Sequence, residues 1–255
     1  MEPASLILLA ALAAVAALYS SVGHAGASGY LAVLALAGLA PEELRPAALT
    51  LNLVVALVAT FRFGGAGHLR IRLLLPFLLP AVPMAFLGGS LPVSPELYRI
   101  LFGAVLLFAA WRLAVPPPAE SGKVSARYEG DGARVPPTGL AIGLGAGIGL
   151  LSGIVGVGGG IFLSPVILLA GWASPRETAA VSAPFILLNS AAGLAGQLFV
   201  AGASVPTGIP LWLGAVLLGG FAGATFGSRH ARPITLRRLL AVVLVVAGGK
   251  MVLGL

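Results

Sequence analysis

Long apolar runs without charges constrain this 255-residue chain more than any other feature of its sequence. An α-helix needs roughly 17–25 apolar residues to cross the hydrocarbon core of a bilayer. Only 9% of the residues are charged, whereas a soluble domain carries about a quarter. The sequence therefore predicts an all-α integral membrane protein. The clearest spans are 47–61, 73–91, 97–114, 179–200, 208–227 and 236–254.

Two further apolar regions, 4–40 and 138–172, are broken by glycines near their centres. Their second limbs, 30–40 and 160–171, are too short to span comfortably, so we expect each region to form a broken or re-entrant helical hairpin. The one hydrophilic stretch, 115–137, is rich in Pro, Gly and mixed charge and is predicted to be a linker. The predicted organisation is membrane repeat 1 (1–114), a cytoplasmic linker (115–137) and membrane repeat 2 (138–255).

The two halves resemble each other in the order of several short matches. The spacing of glycines from Gly23 to Gly38 matches that from Gly156 to Gly171, and Gly89-Ser90 precedes its helix much as Gly227-Ser228 does. Each half is expected to consist of one broken hairpin followed by three transmembrane helices.

Loop charges predict that these repeats are inverted. The 62–72 loop carries three arginines and its counterpart 201–207 has no charge, whereas 92–96 has only a glutamate and its counterpart 228–238 has four arginines. Positive loops lie in the cytoplasm, so equivalent loops are predicted to lie on opposite sides of the cell inner membrane. Both termini are then predicted to be non-cytoplasmic, with the linker inside.

Composition also narrows the function classes. The chain has no cysteine, and its three histidines and eight acidic residues show no metal-ligand spacing, so neither a metal nor another cofactor is predicted. No catalytic constellation or ATP-binding loop is evident. The net charge of +7 is attributed to topology and to contact with anionic lipid headgroups rather than to nucleic-acid binding. The sequence predicts no particular oligomeric state.

The placement of carboxylates favours an anionic or neutral substrate. Cation sites and proton relays in membranes usually contain buried carboxylates, and none is evident here. Backbone N–H groups and helix N-termini can hold an anion without a basic side chain. The acidic residues lie in loops or at helix ends: Glu2, Glu42, Glu43, Glu96, Glu120, Glu129, Asp131 and Glu177.

The glycine breaks are the candidate binding site, since glycine lets the backbone unwind and approach a ligand. Polar residues on the following helices would complete it, although close helix packing and interhelical hydrogen bonds are alternative roles for all of them. His24 is also a candidate for proton coupling, because it lies in the first break and histidine titrates near neutral pH. The predicted substrate-binding residues are Ser20, Ser21, Gly23, His24, Gly26, Ser28, Asn52, Ser152, Gly156, Gly158, Gly159, Gly160, Ser182 and Asn189.

Two motifs resemble those of the sulfite exporter TauE/SafE family. One is the run from Gly156 to Gly160 with the following Pro165, then the run from Glu177 to Ser182; the other, from Tyr19 to Tyr30, is similar to the first-repeat motif of one branch of that family. The first half lacks the three consecutive glycines and the proline of the second. The resemblance implies two membrane repeats and export of sulfite, an organosulfonate or a related sulfur-containing anion.

A secondary transporter, with a small anion as its substrate and the lipid bilayer around it, is therefore the leading prediction. A passive anion channel would need the same glycine-lined site. An intramembrane enzyme is disfavoured by the missing acid, base and metal groups. A purely structural role is disfavoured because broken backbone within lipid is costly.

Overall fold

A computed structural model describes residues 3–21, 24–65, 67–114 and 136–227, together with 241–242, 244–246, 248–249 and 252. Within these residues the chain is helical and has no strand. The predicted linker 115–137 lies outside this description apart from its last two residues. The helices are α1 (Pro3–Ser20), α2 (Ala27–Leu36), α3 (Pro41–Gly64), α4 (Ile71–Ser90), α5 (Pro95–Ala114), α6 (Thr138–Val155), α7 (Gly160–Leu169), α8 (Pro175–Phe199) and α9 (Ile209–Gly227).

Several helices are long and apolar enough to cross a bilayer, which agrees with the predicted class of integral membrane protein. Within the described residues these are Glu42–Gly64, Ile71–Ser90, Thr138–Val155 and Pro175–Phe199. Large apolar side chains such as Leu79, Phe199 and Leu218 are exposed on the outer surface, where lipid would cover them. Helices α5 and α9 occupy the predicted runs 97–114 and 208–227.

Both glycine-rich regions are broken where the sequence predicts. Region 4–40 contains α1 and the ten-residue α2, and region 138–172 contains α6 and the ten-residue α7. The residue before each short helix is a glycine in the left-handed conformation, Gly26 with φ 99° and Gly159 with φ 81°. Only glycine adopts this conformation without steric penalty, so these two residues permit the chain to stop one helix and start another.

Helices α3 and α8 extend beyond the apolar runs that predicted them. α3 begins at Pro41 rather than near residue 47, with Glu42 and Glu43 in its first turn. α8 begins after Ser174, whose side chain accepts from the Glu177 N–H while the Glu177 side chain accepts from the Ser174 N–H. Acidic side chains in a first turn complement the helix dipole, so polar residues there belong to the helix.

Close helix pairs join the two halves. Three glycines of α6, spaced four residues apart, lie against the backbone of α4, so that a Cβ on Gly149 would overlap the Ala81 carbonyl oxygen. The α1–α9 pair has the same arrangement. Small residues at this spacing let membrane helices approach closely. The pairs are Gly145 with Phe77, Gly149 with Ala81, Gly153 with Ala85, Gly219 with Ala13 and Gly223 with Ala17.

Helices α3 and α8 lie side by side in the interior and run in opposite directions. Asn52 of α3 hydrogen-bonds Ser190 of α8, and Leu49 lies beside Gly193. The two helices are therefore antiparallel. The α4–α6 and α1–α9 pairs, by contrast, are parallel.

Candidate functional site

The two glycine breaks meet at Asn52, which lies midway along α3. The Ala27 N–H at the start of α2 donates to Asn52 Oδ1 at 3.1 Å, and Asn52 Nδ2 donates to Ser190 Oγ at 2.8 Å. Gly158, in the second break, lies directly against both Asn52 Nδ2 and Ser190 Oγ. We call His24, Ala27, Asn52, Gly158 and Ser190 the central polar cluster.

His24 belongs to this cluster through its ring and its backbone. Its Cδ2 atom is 3.7 Å from the position that a Cβ on Gly160 would occupy. Its backbone N–H donates to the Tyr19 carbonyl at 2.9 Å. This hydrogen bond ties the break to the end of α1. The imidazole from the first break therefore lies beside the start of α7 in the second.

The first backbone N–H groups at the start of α7 are buried and have no acceptor in the part of the chain that the structure describes. The N–H groups of Gly158, Gly159, Gly160 and Ile161 have no hydrogen-bond acceptor among the described residues, and all four residues are buried. The first N–H groups of a helix have no partner within it, and a buried N–H without any partner is rare. At the corresponding start of α2, the Ala27 N–H already donates to Asn52.

Two buried polar side chains of the predicted site also have no hydrogen-bond partner within the described part of the chain. Ser152 Oγ is one, and the Ser152 Cβ lies 3.5 Å from the position of a Cβ on Gly159. The other is Asn189, whose Oδ1 and Nδ2 are both unpaired although the residue is completely buried. Such groups lower stability unless a ligand or water satisfies them, which makes both candidates for contact with a substrate.

Other predicted site residues make hydrogen bonds within the protein. Ser20 and Ser21 donate to carbonyls of α1, and Ser20 also faces α9 beside Gly223. The hydroxyls of Ser28 and Ser182 are each 2.8 Å from a partner hydroxyl, Tyr19 for the first and Ser164 for the second.

The glycines of the breaks differ in their surroundings. Gly26 packs against the Tyr30 ring, and Gly156 packs against the backbone of Arg45. Gly23 lies outside the described residues. The structure thus brings Asn52, Gly158 and Gly160 together with His24, and places Gly156 near the end of α6 beside α3.

Three residues near the break were not predicted as part of a site: Arg45, Tyr98 and Gln197. Arg45 Nη2 and Gln197 Nε2 both lie near the carbonyl oxygen of Gly153, at 3.2 Å and 3.4 Å. A signal for Arg45 was available in the sequence. It stands one turn inside an apolar helix, where a charge is costly and therefore informative.

Comparison with known proteins identifies the family. The model of the sulfite exporter TauE/SafE family matches residues 7–251. The chain belongs to the sulfite exporter TauE/SafE family. Its glycine-rich motifs had indicated this family, and that prediction is confirmed.

A curated relative supports the same assignment. The chain is 37% identical over 218 residues to the "Probable membrane transporter protein y4hK" of Sinorhizobium fredii (strain NBRC 101917 / NGR234), and the match covers 86% of each chain. No solved structure matches the chain significantly. As a TauE/SafE member with several apolar helices, the chain is a multi-pass protein of a membrane transporter family.

Proposed function

We propose that the protein is a secondary transporter that exports a small anion, sulfite or an organosulfonate, across the inner membrane. The observation that carries the proposal is the set of buried N–H groups from Gly158 to Ile161 at the start of α7, which have no acceptor among the described residues. These donors favour an anionic ligand, because an anion accepts several N–H hydrogen bonds at once and is stabilised at the positive end of a helix.

The charges of the described helices agree with an anionic substrate. Their acidic residues lie in first turns, Glu42 and Glu43 in α3, Glu96 in α5 and Glu177 in α8. A hydrogen bond to a charged group contributes about 1.5–3 kcal/mol, so several amides together with Ser152 Oγ can offset much of the cost of dehydrating an oxyanion. Cation transport would lack a carboxylate among these interior residues.

We further propose that the two repeats are inverted, with the linker in the cytoplasm and both termini outside. The antiparallel packing of α3 and α8 supports this, because these helices occupy equivalent places in the two halves. Helix lengths support the repeat itself: α1 and α6 have 18 residues each, and α2 and α7 have ten each. Inverted repeats commonly place the substrate at the interface of the repeats, which is where the central polar cluster lies.

His24 is the proposed carrier of a coupled proton. A bound anion beside the imidazole favours its charged form, so anion and proton would bind together. The position of the ring next to Gly160 supports this role.

Purified protein in liposomes provides the test. Vesicles are loaded with sulfite, sulfoacetate, sulfate, thiosulfate or chloride, and anion movement is recorded with and without a proton gradient. A transporter accumulates sulfite or the sulfonate against its gradient when protons drive it, whereas a passive channel only dissipates the gradient. Absence of sulfite and sulfonate movement would refute the proposal.

A matched pair of variants tests the site itself. A valine at Gly159 would crowd Phe185 and Ile148 beside the open N–H groups, whereas Gly147 lies in open space on the exposed side of α6. Because Gly159 also has φ +81°, its valine variant is compared only in protein that retains its helical circular dichroism. Such protein should lose transport, and Gly147→Val should retain it. Normal transport by Gly159→Val would show that this glycine only packs helices.

A further inference from the structure

Arg45 carries a charge that the protein neutralises poorly. Its Nη2 lies 3.2 Å from the Gly153 oxygen and 3.4 Å and 3.5 Å from the oxygens of Gly88 and Gly89. One nitrogen therefore shares three rather long contacts with neutral carbonyls, while the buried Nε has no partner in the described structure. Glu42, one turn earlier in α3, is exposed, and no ion pair to Arg45 is found within 4.0 Å among the described residues.

Tyr98 of α5 adds a second unused donor beside this guanidinium. The Arg45 Cζ atom lies 5.8 Å from the centre of the Tyr98 ring. The ring is 4% exposed, and its hydroxyl has no hydrogen-bond partner in the described part of the protein. The Tyr98 ring of α5 and the Arg45 guanidinium of α3 thus lie side by side, and each side chain carries a donor without a partner in the described structure.

The Arg45 side chain lies close to the central polar cluster through a series of contacts. Gln197 Nε2 donates to the same Gly153 carbonyl that Arg45 contacts. Gln197 lies seven residues after Ser190 on α8, which is about 10 Å along a helix. The Arg45 backbone also packs against Gly156, the first residue of the second break.

The donor set determines the class of ligand. An arginine guanidinium forms its strongest hydrogen bonds with oxyanions, because two of its N–H groups can bind two oxygens in parallel. The three carbonyl oxygens near Arg45 all contact the same nitrogen, Nη2, so they leave this paired geometry unused. A sulfur oxyanion offers three oxygens to the Arg45 Nε, a second guanidinium nitrogen and the Tyr98 hydroxyl.

We propose that Arg45 and Tyr98 form a second anion site, separate from the open N–H groups of α7, at the end of α3 far from Arg62. The sulfur-oxyanion class of its ligand rests on the proposed function. An anion bound here exchanges the shared carbonyl contacts for charge-assisted ones. With the proposed topology, this site lies on the non-cytoplasmic side of the cluster, where an exported anion would pass last.

Ligand-induced stabilisation of the purified full-length protein tests the site without requiring transport. The rise in melting midpoint is measured with sulfite and with methanesulfonate, and gluconate keeps the ionic strength constant. A ligand that binds the folded state stabilises it, and separate sites contribute separately. At a fixed anion concentration, Arg45→Gln should lose about half of the rise or more, each protein being compared with its own anion-free midpoint.

Two further variants keep the test decisive if Arg45→Gln does not fold. Tyr98→Phe removes only an oxygen that makes no hydrogen bond within the described structure, and Arg45→Lys keeps the charge without the paired N–H geometry. Both should weaken anion binding severalfold. Arg62→Gln is the matched control: Arg62, in the last turn of α3, lies over the Phe221 ring at 4.6 Å and should retain the full rise.

The outcomes separate this site from the proposed function. A wild-type rise in both Tyr98→Phe and Arg45→Lys would overturn the second site, as would the absence of any rise in the wild type. Arg45-dependent anion binding by a protein that moves no sulfite or sulfonate in liposomes would support the site and refute the proposed transport.

Discussion

The packing around Gly158 makes Gly158→Ala a quantitative probe of the central polar cluster. A Cβ at this position would overlap Asn52 Nδ2 and lie 2.6 Å from Ser190 Oγ and 3.0 Å from Ile186 Cγ2. The added methyl group must therefore displace at least one partner of the 2.8 Å hydrogen bond between Asn52 and Ser190. The residue also has φ +72°, in the left-handed region.

Two terms set the expected loss in the free energy of unfolding. Holding an alanine in the left-handed conformation costs about 1–2 kcal/mol. Leaving a buried donor or acceptor of the Asn52–Ser190 pair unsatisfied costs about 1–3 kcal/mol. Gly158→Ala should therefore destabilise the protein by about 2–5 kcal/mol.

Unfolding in mixed detergent micelles, followed by loss of helical circular dichroism as sodium dodecyl sulfate is added, measures this difference. The control is Gly147→Ala, the same substitution in open space on α6. That change should be neutral or stabilise by up to about 1 kcal/mol, because alanine has the higher helix propensity. If the two variants had unfolding free energies within about 0.5 kcal/mol of each other, the described packing at Gly158 would be refuted.

Three further predictions concern topology, proton coupling and an unpaired amide. Reporter fusions should place Leu255 outside and Asp131 inside, and a cytoplasmic Leu255 would remove the charge-based argument for inverted repeats. His24→Gln should leave anion binding measurable but flatten the pH dependence of transport between about pH 5 and 8, and a wild-type profile would exclude this coupling role. Asn189→Leu should raise the free energy of unfolding by about 1–3 kcal/mol in detergent while lowering transport, because it removes two buried polar atoms that have no hydrogen-bond partner in the described structure. A loss of stability in that variant would mean that the amide is satisfied within the protein.

The sequence predicted the breaks well because their cause is local. A short apolar limb after a glycine-rich stretch cannot span a bilayer, and glycine alone adopts the conformation found at Gly26 and Gly159 without strain. Helix starts were placed less well. Hydropathy excluded Glu42, Glu43 and Glu177, although acidic side chains stabilise first turns.

The composition of the candidate site was only partly predictable, because it depends on helix packing. Asn52, Gly158 and Gly160 were predicted from their types and positions, and the structure brings them together. Arg45 and Gln197 meet at the Gly153 carbonyl only because residues of α3 and α8 both reach the end of α6. Nothing local in the sequence indicates that meeting.

The pairing of helices between the two halves has a consequence for membrane insertion and assembly. α1 pairs closely with α9, and α4 with α6. A nascent chain that has inserted only its first half therefore presents the small-residue faces of α1 and α4 to lipid, because the helices that pack against them have not yet been synthesised. The first half therefore lacks these close contacts until the second half has been inserted into the bilayer. A cut between residues 114 and 138 would leave these helices themselves intact, so two separately translated halves would still carry both faces of each pair.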